Sequence, residues 1–278
     1  MLATRFARLS PILRSSTPLA EDQIRAVAPS IFAEDKAPTR SERYTYIPTI
    51  QVLRGLAREG FRPFMVTQAR ARDAMNQEHT KHMVRLRRTG DAEPSGSDTA
   101  NEIILINSHN GASCYQMLAG AFRFVCSNGL VAGHIEEDIR LPHRGDIVDN
   151  VIDGAFRVVE GFEKIDASRE AMRDTALSAP QQEAFARAAI ALRFDAHADA
   201  PAPVTERQVL APRRAADTAG DLWTTFNRVQ ENTLRGGLAA RTATGRRVRT
   251  RPVEGVDRSV ALNRALWVLA EEMRRLAA

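Results

Sequence analysis

The residues most able to do chemistry in this sequence are arginines. Between positions 232 and 253 the run NTLRGGLAARTATGRRVRTRPV holds Arg235, Arg241, Arg246, Arg247, Arg249 and Arg251, and no acid. A guanidinium neutralises phosphate and grips it in a two-point fork that a lysine ammonium does not offer. Gly236, Gly237 and Gly245 allow the backbone to come close to a ligand. The run follows a helical stretch bearing Trp223, Phe226 and Asn227, and an aromatic there could stack on a base. A second arginine set lies upstream. FMVTQARAR (64–72) and HTKHMVRLRR (79–88) alternate like strands, joined by a polar turn around 73–77. Alternation puts Arg70 and Arg72 on one face of the first strand and Arg85 and Arg87 on one face of the second. Together the two sets make a candidate phosphate track. A solvated sheet face, or a basic loop that touches nothing specific, has the same sequence pattern.

Other reactive residue types do not assemble into a motif. His79 and His82 are three apart on an expected strand, which sends them to opposite faces. His134 and His143 flank EEDIRLP, with Glu136, Glu137, Asp138 and Asp146 nearby. A carboxylate–histidine metal site is chemically conceivable there, but the spacing matches no zinc pattern and a solvated acidic loop is the simpler reading. Ser108, His109 and Cys114 lack a third group to orient the histidine, and Ser-His-Asn-Gly reads as hairpin-turn chemistry. Cys126, inside FRFVCSNG, reads as a buried small hydrophobe. Walker A, GxGxxG and HExxH motifs are absent. No catalytic residue, metal or cofactor is expected. Asn227, Gln230, Glu231 and Asn263 lie among apolar neighbours. Such polar groups more often tie loops to a helical core than read a ligand.

The elements that must position these groups follow from periodicity. Residues 1–46 read as an N-terminal arm and loop, with 21–46 running over a surface. IPTIQVLRGLAREG (47–60) places Ile50, Leu53, Leu56 and Ala57 on one helical face. Residues 61–133 read mostly as sheet. EIILINS (102–108) is a buried strand, ASCYQMLAG returns, and AFRFVCSNGLVAG closes on Asn-Gly. The remainder reads as helix: 146–165, 184–194 after a capping box at Ser178 and Gln181, 221–237 ended by a glycine pair, and 257–276. Residues 195–208 read as an exposed connector. The expected class is α+β, with an antiparallel sheet preceded by one helix and followed by a helical C-terminal half. A single domain over 47–278 would hold a sheet part (47–145) and a helical part (146–278).

Composition agrees with this. The chain has 278 residues, 44% hydrophobic and 26% charged, enough to bury a core. Its 39 basic and 34 acidic residues leave a net charge of +5, which suits a nucleic-acid partner without requiring one. All but Lys36, Lys81 and Lys164 of the basic residues are arginines. That bias follows from GC-rich coding or from phosphate recognition. No apolar run approaches the ~18 residues of a membrane span. Two cysteines make no disulfide scaffold and point to the cytoplasm.

Several stretches together are familiar. NSHNGASCYQMLAGAFRFVCSNGLVAG (107–133), LAPRRAAD (210–217), DLWTTFNRVQENTLRGG (221–237), TRPVEGVD (250–257) and LNRALWVLAEEM (262–273) resemble the bacterial phage/plasmid-like proteins, domain of unknown function 932. The resemblance covers about Tyr46 to Met273 and implies a mobile-element context, with no agreed activity. The order of elements, an aliphatic helix, Gly60-Phe61, then a ribbon ending in VRLR (84–87), is similar to the opening of single-strand annealing proteins of the Rad-fifty-two type. That similarity implies a curved antiparallel sheet and single-stranded DNA in a basic groove. The expected function is therefore binding or annealing of single-stranded DNA in DNA maintenance or recombination. Arg70, Arg72, Arg85, Arg87, Arg246, Arg247, Arg249 and Arg251 would meet phosphates, and Tyr115 or Trp223 would meet bases. That role could involve a homo-oligomer. The alternatives are a protein-interaction module that acts against a host defence or regulatory factor, and an enzyme with a non-obvious site.

Overall fold

A computed structural model describes residues 12–42, 44–70, 74–91, 98–124, 128–133, 138–141, 143, 148–194, 202–241 and 245–277. The chain divides into two compact units. One comprises Met1–Gly129, Ile135–Glu160 and Glu254–Val256; the other comprises Leu130–His134, Gly161–Val253 and Asp257–Ala278.

The first unit is built on an antiparallel sheet. Its strands are β1 (Ile12–Arg14), β2 (Phe61–Gln68), β3 (His82–Arg88), β4 (Thr99–Asn107), β5 (Tyr115–Arg123) and the first two residues of β6 (Asn128–Val131), in that spatial order, and β7 (Ile139–Leu141) also pairs with β5. From β2 onward sequential strands pair because short connections bring neighbours together, whereas β1 reaches β2 across a segment that holds the helices Glu21–Val27 and Thr49–Arg58. Almost every residue of β2, β3 and β4 is buried, on both faces of the sheet. Among the described residues its helices are α1 (Glu21–Val27), α2 (Thr49–Arg58) and α3 (Val148–Glu160). α2 buries Val52 and Leu53 with Leu56 one turn on, as its period requires. α3 approaches β5 closely at Gly154, where an added Cβ would stand 2.4 Å from Met117 Cε.

Three expectations for this part change. Residues 21–46 do not simply run over the surface. α1 and a 3₁₀ turn (Pro29–Phe32) bury Ile24, Ile31 and Phe32 beneath a polar exterior. The first arginine-bearing strand stops at Gln68, before Arg70. The polar turn after it contains a 3₁₀ helix (Ala74–His79) that carries His79 off the strand.

The second unit is helical, with α4 (Phe162–Asp174), α5 (Ala179–Phe194), α6 (Glu206–Leu210), α7 (Leu222–Arg235) and α8 (Val256–Ala277). The expected helix 146–165 is in fact two, α3 and α4, interrupted at Gly161. α7 starts where the Asp221 carboxylate accepts a bond from Thr224 N (2.8 Å), an N-cap. It is buried along most of its length, with Trp223 stacked on Phe226 and Phe226 edge-on to Trp267 of α8. After α7 come two short strands, β8 (Ala239–Arg241) and β9 (Arg247–Arg249), paired as an antiparallel ribbon. The α+β class is as the sequence indicates. Among the described residues, no helix is long and apolar enough to cross a membrane.

Candidate nucleic-acid interface

The acid-free run folds into the β8–β9 ribbon. Its register sets Ala239 opposite Arg249, Ala240 opposite Val248, and Arg241 opposite Arg247. Opposed residues share a face, so Arg241, Arg247 and Arg249 line one side while Ala240 and Val248 line the other. Ala240 is buried, which turns the arginine side outward. Arg241, Arg246, Arg247, Arg249 and Arg251 are all exposed. Among the described residues, Arg241, Arg247 and Arg249 make no ion pair; Arg249 Nη1 donates to the Gly237 carbonyl (2.8 Å) and Arg241 Nη1 to that of Gly245 (3.3 Å).

Backbone bonds close the foot of the ribbon and tie its exit to α7. Gly237 N donates to Thr250 O (2.8 Å), Thr250 N to Leu238 O (2.9 Å) and Val253 N to Leu234 O (2.8 Å). Gln208 Nε2 holds Ala239 O (2.7 Å), and Arg193 Nη2 holds Arg251 O (3.0 Å). The exit from α7 needs glycine. Gly236 sits at φ 64°, ψ −146°, and a Cβ there would lie 2.7 Å from Thr250 O and from the Arg251 carbonyl.

The other half of the expected track is not a surface. Arg85 and Arg87 are buried and share the Glu102 carboxylate, each at 2.8 Å. The Arg87 guanidinium also lies on Phe122 (3.6 Å) and Phe64 (4.5 Å), so its charge faces aromatic rings. Arg85 reaches the space that Gly129 leaves: a Cβ there would fall 1.6 Å from its Nη1. Alternation set both arginines on one face correctly, but that face is covered. Arg70 is exposed just beyond β2, and Arg72 lies outside the described residues. Tyr115 and Trp223 are also closed off from solvent, at 0% and 2% exposure, which removes them as stacking platforms.

The amides of α7 tie elements together. Gln230 Nε2 donates to Asn263 Oδ1 on α8 (2.8 Å), Asn227 Nδ2 to Trp223 O, and Asn232 Nδ2 to the carbonyls of Val209 and Ala211. Glu231 takes Arg214 in a two-point pair (2.7 and 2.8 Å). That pairing holds Arg214 above the ordinary arginine range.

A polar cluster in the first unit is one that sequence patterns do not announce. His82, on β3, is fully buried. Its Nδ1 lies 2.8 Å from Ser30 Oγ and 3.3 Å from Thr80 O, and its Nε2 lies 3.0 Å from Thr49 Oγ1. The Thr80 carbonyl can only accept, and the Ser30 hydroxyl donates to Gln68 Oε1, so the network assigns the proton to Nδ1 of a neutral ring. The His109 ring lies 5.3 Å from that of His82 and 5.0 Å from Tyr46, and His143 stacks on Tyr44 at 4.4 Å. Neither His109 ring nitrogen completes a hydrogen bond. Burial depresses all three histidines. His109 goes down to about 4, helped by the charges of His143 and His79. A strand, the start of α2, a 3₁₀ turn and several loops meet here, so no local spacing marks it. Among the described residues, no group of histidine, cysteine and carboxylate side chains is arranged to hold a metal ion. His134, Glu136, Glu137, Asp146 and Cys126 lie outside the described residues; Asp138 faces Arg140 at 3.6 Å.

Comparison with known proteins gives relatives of unknown activity. The chain is similar to the UPF0380 protein YfjQ of Escherichia coli (strain K12), 51% identical over 98% of this chain and 97% of the relative. It is similar to the UPF0380 protein YafZ of the same organism, 50% identical over the same shares. No solved structure matches. The family described as domain of unknown function (DUF932) matches residues 37–267. With that match and those relatives, the chain belongs to the DUF932 family.

Proposed function

We propose that this protein binds nucleic acid through the outward face of the β8–β9 ribbon, with single-stranded DNA as the favoured partner and DNA maintenance or recombination in a mobile element as the setting. The observation that carries this is the set of three exposed arginines, Arg241, Arg247 and Arg249, on one face of an anchored ribbon with no acid paired to them among the described residues. Arg246 and Arg251 flank that face in sequence and extend the exposed charge. With Trp223 and Tyr115 buried, the interaction rests on phosphate neutralisation, so affinity must fall steeply with salt. The preference for a single strand rests on element order alone: α2, Gly60-Phe61 and the β2–β3 pair resemble the opening of annealing proteins.

Fluorescence anisotropy of a labelled single strand and its duplex, each at two salt concentrations, tests the reading. Salt-sensitive binding that favours the single strand supports it in full. Equal affinity for both forms reduces it to polyanion binding. No binding at low salt overturns it and turns attention to a protein partner.

A further inference from the structure

We infer a second site, in the first unit, for a small amphipathic carboxylate. An open cavity of about 760 Å³ lies between α1, α2 and the start of β2. That is within the ~300–1,000 Å³ of small-molecule sites. Its floor is apolar, formed by Leu19, Ile24, Leu53 and Pro63. Its rim is cationic, formed by Arg54, Arg58 and Arg62, all exposed.

The rim already shows how it takes a carboxylate. Arg54 grips Glu21 of α1 through Nε (2.8 Å) and Nη2 (2.7 Å), a two-point fork. Arg58 is four residues further along α2, hence on the same helical face. Arg62 follows at the start of β2. Among the described residues, neither Arg58 nor Arg62 pairs with an acid. The cavity therefore offers one satisfied fork and two open ones beside an apolar floor. The complementary molecule has one carboxylate and a hydrocarbon body, as a medium-chain fatty acid has. Its tail would cover the floor and its head would bridge Arg58 and Arg62. This site shares no residue with the ribbon, so it stands or falls independently of nucleic-acid binding.

Isothermal titration calorimetry of the full chain with decanoate, below its micelle concentration, tests the inference. The expected result is saturable binding of one equivalent, with decanol and decylammonium at least tenfold weaker. Arg58→Gln/Arg62→Gln should weaken decanoate at least tenfold and leave thermal unfolding unchanged, because both side chains are exposed. Absence of saturable binding overturns the site. So does equal binding of decanol, or equal binding by the double variant.

Discussion

Arg241 and Arg247 stand directly opposite each other across the β8–β9 ribbon, on its outward face. Like charges in opposed positions destabilise a strand pair. The ribbon persists because it is bonded to the rest of its unit, at Ala239 by Gln208, at Arg251 by Arg193 and at Val253 by Leu234. An anion between the two guanidinium groups would turn that repulsion into two attractions.

Replacing Arg247 and Arg249 with glutamine should therefore separate binding from folding. Both side chains are exposed, and their removal also relieves the clash of charge with Arg241. Thermal unfolding should stay the same or rise slightly. Single-strand affinity should fall, and the slope of log affinity against log salt should flatten by about 0.7 for each phosphate that is no longer neutralised. An unchanged slope, measured by anisotropy, would remove the ribbon as the binding surface.

Gly236→Ala should damage the same activity without removing an arginine side chain. Its φ of 64° with ψ of −146° is a glycine region, and the new Cβ would press on Thr250 O and the Arg251 carbonyl. Forcing an ordinary residue there costs on the order of 1–3 kcal/mol, and the strand entry must shift to relieve it. Gly237→Ala meets nothing within 4 Å, so it carries backbone strain alone (φ 79°). The expected order of single-strand affinity is wild type, then Gly237→Ala, then Gly236→Ala. Equal affinities for all three would show that the ribbon's placement does not matter.

Periodicity made most of the first unit legible, because β3 to β5 are strongly patterned and α2 has one clean apolar face. It could not report whether a sheet face is covered. Arg85 and Arg87 alternate as surface residues do, and the residue that neutralises them, Glu102, sits in an otherwise apolar strand fifteen positions away from Arg87. Glu102 inside EIILINS was the available signal: a carboxylate in a buried strand requires a cation. The ribbon's arginines were legible because the absence of acid is a local property. The histidine cluster was not, because His82, His109 and His143 meet only through tertiary folding. Nor was the break at Gly161, where the apolar period continues through the junction.

Glu102 is the point where that buried charge is most exposed to test. Its two oxygens each take one arginine, and its side chain is fully buried. Glu102→Gln removes the carboxylate charge that the two buried guanidinium groups share. Removing one partner of a buried pair typically costs about 3–5 kcal/mol. Urea unfolding should show a loss of that order. Arg87→Met, which keeps an apolar body against Phe64 and Phe122 and leaves Arg85 with Glu102, should lose less. Equal losses would mean that packing, not charge, governs this site.

The histidine cluster makes stability depend on mildly acidic pH. His109 is held neutral, with its ionisation brought down from 6.5 to about 4, first by burial and then by the charges of His143 and His79. His82 and His143 are depressed for the same first reason. In the unfolded chain each titrates near 6.5. The unfolded state thus binds protons that the folded state refuses. The stabilising contribution is complete above pH 6.5 and is lost as pH falls from there towards 4. For His109 alone the shift corresponds to on the order of 3 kcal/mol. Urea unfolding midpoints should be flat from pH 8 to 7 and drop steadily between pH 6.5 and 4.5. His109→Gln keeps a polar side chain of similar length and cannot take up a proton, so its midpoint should fall less over that window. A parallel fall in wild type and variant would assign the acid sensitivity to groups outside this cluster.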